Sequence, residues 1–273
     1  MHEFDTHRQF MHLWKEALVG KPFVDQQGTL LSLYFDISAI QSQMNVEDPT
    51  ELVLPYSQLM MGFWLFQPAP QRIGMVGLGG GSLVKFIHRY LPEARLDVAE
   101  LNPDVIAMRE QFCVPPDDAR LQVHCLDGAV MVRHLPAQLG APLDALLLDG
   151  YSADGIPHAL STPAFFEHCR NALGEHGMLV ANLSADEHRG DACLQRMRRT
   201  FRNVVAVPSD DGGNRVVFAT RGPALSTPSE ALTARAEAIR QHSRLDLRGL
   251  VKELMARLPA PPTTPCPSTT SAG

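Results

Sequence analysis

The stretch that most constrains this chain is Arg72–Leu101, RIGMVGLGGGSLVKFIHRYLPEARLDVAEL. It opens with a short apolar run, Ile73–Val76, and a glycine-rich turn follows, Gly77-Leu78-Gly79-Gly80-Gly81-Ser82. Leu83, Val84, Phe86, Ile87, Tyr90 and Leu91 then recur at spacings of three and four until Pro92. That spacing predicts a helix. A second strand-like run, Leu96–Ala99, ends in Glu100. Strand, glycine turn, helix, strand and acid together describe a βαβ unit that holds a nucleotide-like ligand.

The chemistry follows from the residue types. A ligand approaches backbone closely only where no Cβ intrudes, and a tight turn that needs positive φ favours glycine, here Gly77, Gly79 and Gly81. The next helix offers unpaired N–H groups and a positive dipole end. Glu100 stands 23 residues after Gly77, close to the roughly 20-residue spacing of an acid that accepts from ribose hydroxyls.

The rest of the α/β pattern can be read in order. Asn102–Phe112 predicts a helix with an early proline, and Leu121–Cys125 a strand ending at Leu126-Asp127-Gly128. Ala129–Leu135 predicts a short helix. Leu143–Leu148, wholly apolar but for Asp144, predicts a central strand ending in Asp149. A polar loop runs to Thr162, then come a helix (Pro163–Leu173), a turn (Gly174–Gly177), a strand (Met178–Leu183) and a helix (Asp191–Phe201). Val204–Pro208 and Val216–Thr220, joined by aspartates and paired glycines, predict a β-hairpin. A parallel α/β sheet closed by an antiparallel hairpin is the Rossmann-like architecture of S-adenosylmethionine-dependent methyltransferases.

Ahead of this unit, Phe4–Leu18 has helical spacing, and Phe23–Met44 predicts a small antiparallel β region with a turn at Gln26-Gln27-Gly28. Pro49–Phe66 predicts a linking helix whose Met and aromatic stripe is core. The expected divisions are 1–66, the N-terminal helix, β region and linking helix; 67–222, the nucleotide-binding domain; 223–258, a helical extension; and 259–273, a disordered Pro/Thr/Ser-rich tail.

Composition excludes several classes. The formal net charge is −6, and the five arginines between Arg189 and Arg202 spread along a helical pattern, so nucleic acid is not the expected partner. The longest apolar stretch, Leu59–Phe66, is far shorter than the roughly 20 residues of a spanning helix, and the N-terminus lacks the apolar core of a signal peptide. No pair among the five cysteines has metal-ligand spacing. A cytoplasmic protein with no metal, no prosthetic group and no membrane partner is expected.

Three acids, Glu100, Asp127 and Asp149, fall at or just past successive strand ends, where open α/β sheets bind ligands. For an adenosyl ligand, Glu100 suits the ribose diol, Asp127 the adenine amine, and Asp149 a cationic amine or sulfonium.

From about Gly28 to Gly222 the chain resembles the spermidine synthase family of polyamine aminopropyltransferases, in its short bacterial spermidine synthase-like branch. The resemblance rests on Ile40-Gln41, Tyr56, the Val76–Leu83 turn, Glu100, Asp127-Gly128 and the Asp149–Thr162 loop. It implies aminopropyl transfer from decarboxylated S-adenosylmethionine to a polyamine such as putrescine, with release of methylthioadenosine. It also implies polyamine biosynthesis and a homodimer or homotetramer. Gln41, Glu100 and Asp127 would contact the adenosyl donor, which is the decarboxylated form or S-adenosylmethionine itself. Tyr56 and Tyr151 would bind the acceptor.

Three positions depart from the family pattern. Gly80 replaces the aspartate of the glycine turn, Tyr56-Ser57-Gln58 replaces Tyr-His-Glu, and Ser152 replaces the second acid of Asp-x-x-Asp. Asp154 is the nearest substitute base, with Asp149 beside it. The departures keep open an impaired adenosyl-binding module and an S-adenosylmethionine-dependent methyltransferase. An NAD-dependent oxidoreductase fits less well, because Ser82 stands where the third glycine of Gly-x-Gly-x-x-Gly belongs.

Overall fold

The computed structural model describes residues 21–35, 40–150, 155–185, 188–222, 225 and 227–258. The expected helix at 4–18, Tyr151, Ser152, Asp154 and the 259–273 tail lie outside the described residues.

Three strands, β1 (Phe23–Gln27), β2 (Leu30–Tyr34) and β3 (Ile40–Asn45), pair antiparallel in that order. Gly28 makes the first turn at φ +60°. Seven more strands form the main sheet: β4 (Arg72–Val76), β5 (Arg95–Glu100), β6 (Leu121–Cys125), β7 (Leu143–Leu148), β8 (Leu173–Ser184), β9 (Asn203–Pro208) and β10 (Asn214–Thr220). Their order is β6-β5-β4-β7-β8-β10-β9, and β10 is antiparallel to both of its neighbours. This is the expected methyltransferase-like sheet, with the second strand of its closing hairpin, β10, inserted between β8 and β9. The order reverses between β4 and β7, so the helices on either side diverge and leave a crevice at the strand ends.

Helices cover both faces: α1 (Pro55–Met60), α2 (Phe63–Phe66), α3 (Ser82–Tyr90), α4 (Pro103–Ala107), α5 (Gly128–Leu139), α6 (Pro163–Ala172), α7 (His188–Thr200), α8 (Ser229–Ser243) and α9 (Arg248–Arg257). One apolar core joins Leu31, Leu33 and Met44 of the small sheet to Met60, Phe63, Leu83 and Phe218. The small sheet is thus packed on the main one, which supplies the hydrophobic cover that three short strands lack by themselves. The other face is sealed by Val132, Leu135, Phe165, Phe166 and Met197 from α5, α6 and α7.

Several element boundaries differ from expectation. The linking helix over 49–66 is two short helices. Pro55 starts the first, and Gly62 separates them where a Cβ would lie 2.5 Å from Leu250 and 2.8 Å from Phe218. The expected Met and aromatic stripe is core all the same. The helix over 102–112 stops at Ala107, and the chain then turns to bury Phe112 and presents its carbonyl to Lys85. α5 runs through Pro136 to a left-handed Gly140. The turn over 174–177 lies within β8, where Leu143 pairs with Leu173 and Ala145 with Met178, so β8 bulges against β7. The 230–258 stretch is two helices broken at Arg244, φ +64°.

Candidate active site

At the crevice a cavity of about 690 Å³ opens over the C-terminal ends of β4 to β8. Its first wall is the glycine turn. Gly77, Gly79 and Gly81 all have positive φ, at 91°, 53° and 67°. The need is steric as well as conformational: a Cβ on Gly77 would sit 2.2 Å from the Asp149 carbonyl oxygen, and one on Gly81 2.3 Å from Val114. Strand β3 crosses over this turn. The Ser82 hydroxyl donates to the Gln43 carbonyl (3.2 Å), and Gln41 and Ser42 line the cavity beside it.

Glu100 ends β5 with only 9% of its surface exposed. Its two carboxylate oxygens accept from the backbone N–H of Leu78 (2.9 Å) and of Asn102 (2.8 Å). The acid therefore fixes the glycine turn to the next strand end, and it keeps lone pairs for a ligand, since a carboxylate has about four acceptor sites. Asp127 caps α5 by accepting from Ala129 N–H (2.6 Å) and also faces the cavity. Gly128 follows because a Cβ there would strike Val76 at 2.3 Å.

Asp149 follows β7, which lies between β4 and β8 in the sheet, and lines the cavity. Its Oδ1 accepts from Asn182 Nδ2 (2.9 Å), and its Oδ2 from the Tyr56 hydroxyl (3.3 Å). Although Asp149 lines the cavity, the protein around its carboxyl replaces most of its water. That burial pushes its pKa up to about 6, against the two hydrogen bonds, which pull it down. Tyr56 joins Asp149 to β3, since its hydroxyl also lies 3.4 Å from the Gln41 carbonyl oxygen.

The structure thus brings Gln41, Tyr56, Gly77, Gly79, Glu100, Asp127, Gly128 and Asp149 to one cavity, with Gly81 behind it at the start of α3. Sequence reasoning missed Asn182, Ser184 and Asn214, which line its other end. Asn182 is a lone amide in the apolar run Met178–Leu183, and that is the signal it offered. Lys85 was also missed. It is 3% exposed on the apolar face of α3, donating to the carbonyls of Gly80 (3.1 Å) and Phe112 (2.8 Å). Burial lowers its pKa to about 8, with a Coulombic contribution from Cys113 opposing.

No family model matches the chain. A curated polyamine aminopropyltransferase from Chromobacterium violaceum is 35% identical over 233 residues, spanning 85% of this chain and 88% of that protein. The chain belongs to the polyamine aminopropyltransferase family. Among solved structures, a probable spermidine synthase from Corynebacterium glutamicum superposes with a TM-score of 0.65 at 18% identity, covering 90% of this chain and 95% of that one. Human methyltransferase-like protein 13, solved in complex with SAH, superposes at 0.59 and 23% identity over 70% of this chain and 90% of that one. These two likenesses establish the shared methyltransferase-like fold.

Two departures from the aminopropyltransferase pattern have a structural counterpart. A Cβ at Gly80 would lie 2.8 Å from both Phe112 and the Ser42 hydroxyl, so the packing of this turn is closed to an aspartate. Ser57 and Gln58 donate to the carbonyls of Leu54 (2.6 Å) and Leu52 (2.7 Å), and so hold the chain that leads into α1. Among the described residues, no three His, Cys, Asp or Glu side chains are grouped to hold a metal ion. No described helix is long and apolar enough to cross a membrane.

Proposed function

We propose that this chain transfers an aminopropyl group from decarboxylated S-adenosylmethionine to a polyamine such as putrescine. The observation that carries the reading is Asp149, a carboxyl raised by burial and braced by Asn182 and Tyr56. It shares one cavity with the glycine turn, Glu100 and Asp127.

Glu100 accepts from the ribose hydroxyls of the donor, Asp127 from the adenine amine, and Gln41 covers the nucleoside from β3. In the chemical step, the acceptor nitrogen attacks the aminopropyl carbon bonded to sulfur. The C–S bond breaks, and its electron pair leaves with sulfur as neutral methylthioadenosine. The new C–N bond leaves nitrogen one proton in excess, and a carboxylate takes it. With its pKa pushed up to about 6, Asp149 is largely ionised at neutral pH and lines the cavity, which suits it to attract the cationic reactants and receive that proton. Asp154 is the second candidate base, and Tyr151 joins Tyr56 on the acceptor side.

Incubating the protein with decarboxylated S-adenosylmethionine and putrescine tests the reading through methylthioadenosine release. Release that depends on both substrates supports it. The packing at Gly80 favours one second reading, an adenosyl-binding module impaired in catalysis, for which adenosyl compounds bind and no amine is consumed. Methyl transfer from S-adenosylmethionine appears in the same assay as S-adenosylhomocysteine. The reading includes the cytoplasm as compartment and a homodimer or homotetramer as assembly, which sedimentation velocity resolves.

A further inference from the structure

The order of the strand ends fixes where the donor's tail falls. Asp127, Glu100, the glycine turn and Asp149 follow β6, β5, β4 and β7, which are neighbours in that order in the sheet, about 4.8 Å apart. A donor with its adenine amine on Asp127 and its ribose on Glu100 therefore carries its sulfonium substituent onto the glycine turn, where α3 starts. Gly81 is the N-cap of α3 and offers no side chain, so the N–H groups of Ser82, Leu83 and Val84 have no protein acceptor among the described residues. Beside the turn lies Ser42 of β3, 6% exposed. Its hydroxyl oxygen is 2.8 Å from the point a Gly80 Cβ would occupy and 3.8 Å from that of Gly79. That hydroxyl makes no hydrogen bond among the described residues, and Ser42, Gly79, Ser82 and Leu83 all line the cavity. The bond from the Ser82 hydroxyl to the Gln43 carbonyl (3.2 Å) holds β3 to the helix start. Behind the turn, Lys85 donates to the Gly80 carbonyl (3.1 Å), and with its pKa at about 8 it is mostly cationic at neutral pH.

Free N–H groups at a helix start, a buried hydroxyl without a partner and an ammonium behind them all favour an anion. The packing that closes Gly80 to an aspartate also keeps that negative charge away from the helix start. The tail of decarboxylated S-adenosylmethionine ends in an ammonium, and S-adenosylmethionine carries a carboxylate on the same carbon. We propose that the start of α3 and the Ser42 hydroxyl receive that carboxylate, so that the chain also uses S-adenosylmethionine, as a donor of its 3-amino-3-carboxypropyl group. The inference rests on the aminopropyl-transfer reading and keeps its chemical step. The amine nitrogen attacks the same carbon bonded to sulfur, the C–S bond breaks, and its electron pair leaves with methylthioadenosine. The excess proton on nitrogen goes to Asp149, and the group transferred differs only by its carboxylate.

The test is calorimetric titration with S-adenosylmethionine, its decarboxylated form and methylthioadenosine, followed by mass spectrometry of the products formed with putrescine. S-adenosylmethionine should bind no more than about tenfold more weakly than the decarboxylated form, and weaker binding than that overturns the proposal. Ser42→Ala should weaken S-adenosylmethionine by about tenfold, the loss of one charged hydrogen bond, and leave the other two ligands within about twofold. An equal change in all three, or no change, also overturns it. With putrescine, S-adenosylmethionine should yield methylthioadenosine and N-(3-amino-3-carboxypropyl)putrescine. S-adenosylhomocysteine with methylated putrescine, or turnover of the decarboxylated donor alone, sinks the proposed transfer. Methylthioadenosine release from neither donor is a different failure: it removes the aminopropyl-transfer reading itself, and the inference with it.

Discussion

The two halves of the cavity are built in different ways. The half proposed to hold the donor is built around one contiguous unit: β4, the glycine turn, α3 and β5 span Arg72–Glu100, Glu100 closes it by gripping Leu78, and Gln41 and Asp127 are added from β3 and the end of β6. The half proposed to hold the acceptor is assembled from far apart. Tyr56 reaches Asp149 across 93 positions and Asn182 reaches it across 33. A contiguous unit carries its own conformational instructions in glycines, caps and periodicity. A dispersed site exists only once the sheet has formed, so its residues can change one at a time without breaking the fold. Of the departures from the family pattern, Ser57 and Gln58 fall beside Tyr56 in the dispersed half, whereas Gly80 falls in the glycine turn of the contiguous unit.

That contrast makes separable predictions. The largest concerns the junction. Asp149→Asn should lower the transfer rate by about 10²- to 10⁴-fold, the usual contribution of a general base. It should leave methylthioadenosine affinity, a donor-half property, within about twofold, since no donor contact is removed. Equal losses in both would erase the division into halves.

The same substitution should stabilise the protein. The folded pKa of Asp149 is raised to about 6 from its ordinary value of 3.8. Between those values the folded state holds more protons than the unfolded state, so stability falls as pH rises through the window. The neutral amide of the variant leaves no such charge to bury. Denaturant midpoints should therefore favour the variant at pH 7.5, by on the order of 2–3 kcal/mol, and converge near pH 3.5.

A donor-half change should do the reverse in binding. Glu100→Gln keeps the size but loses the charge that accepts from Leu78 and Asn102. Methylthioadenosine should bind about 10- to 100-fold more weakly, in line with charged hydrogen bonds. The relative rates with different amines should stay as they were. The smallest effect belongs to Tyr56→Phe. It removes a hydrogen bond that lowers the Asp149 pKa, so the acid limb of the pH–rate profile should move up by about half a pH unit.

Legibility in the sequence follows the same division. Local signals predicted β4, the turn, α3, β5 and the closing hairpin, because each is set by neighbours in the chain. Helix ends were harder to read. Nothing near Ala107 announces the stop, since its cause is Phe112 turning to meet Lys85 on α3. The helix expected over Ala129–Leu135 runs on through Pro136 to Leu139, because a single lost hydrogen bond is tolerable in a helix packed against Leu143 and Phe166. Glu100 and Asp127 were identified as acids of the site, but their simultaneous service to backbone N–H groups was not. Asn182, Ser184 and Asn214 carried little local signal, because their place in the cavity depends on β10 inserting beside β8.

The most direct measurement is methylthioadenosine release from decarboxylated S-adenosylmethionine and putrescine as a function of pH, for the wild type and for Asp149→Asn. The account predicts amine-dependent release that rises through about pH 6, where Asp149 ionises, and at least about a hundredfold less in the variant. Variant release at the wild-type rate, or none from either protein, would contradict it.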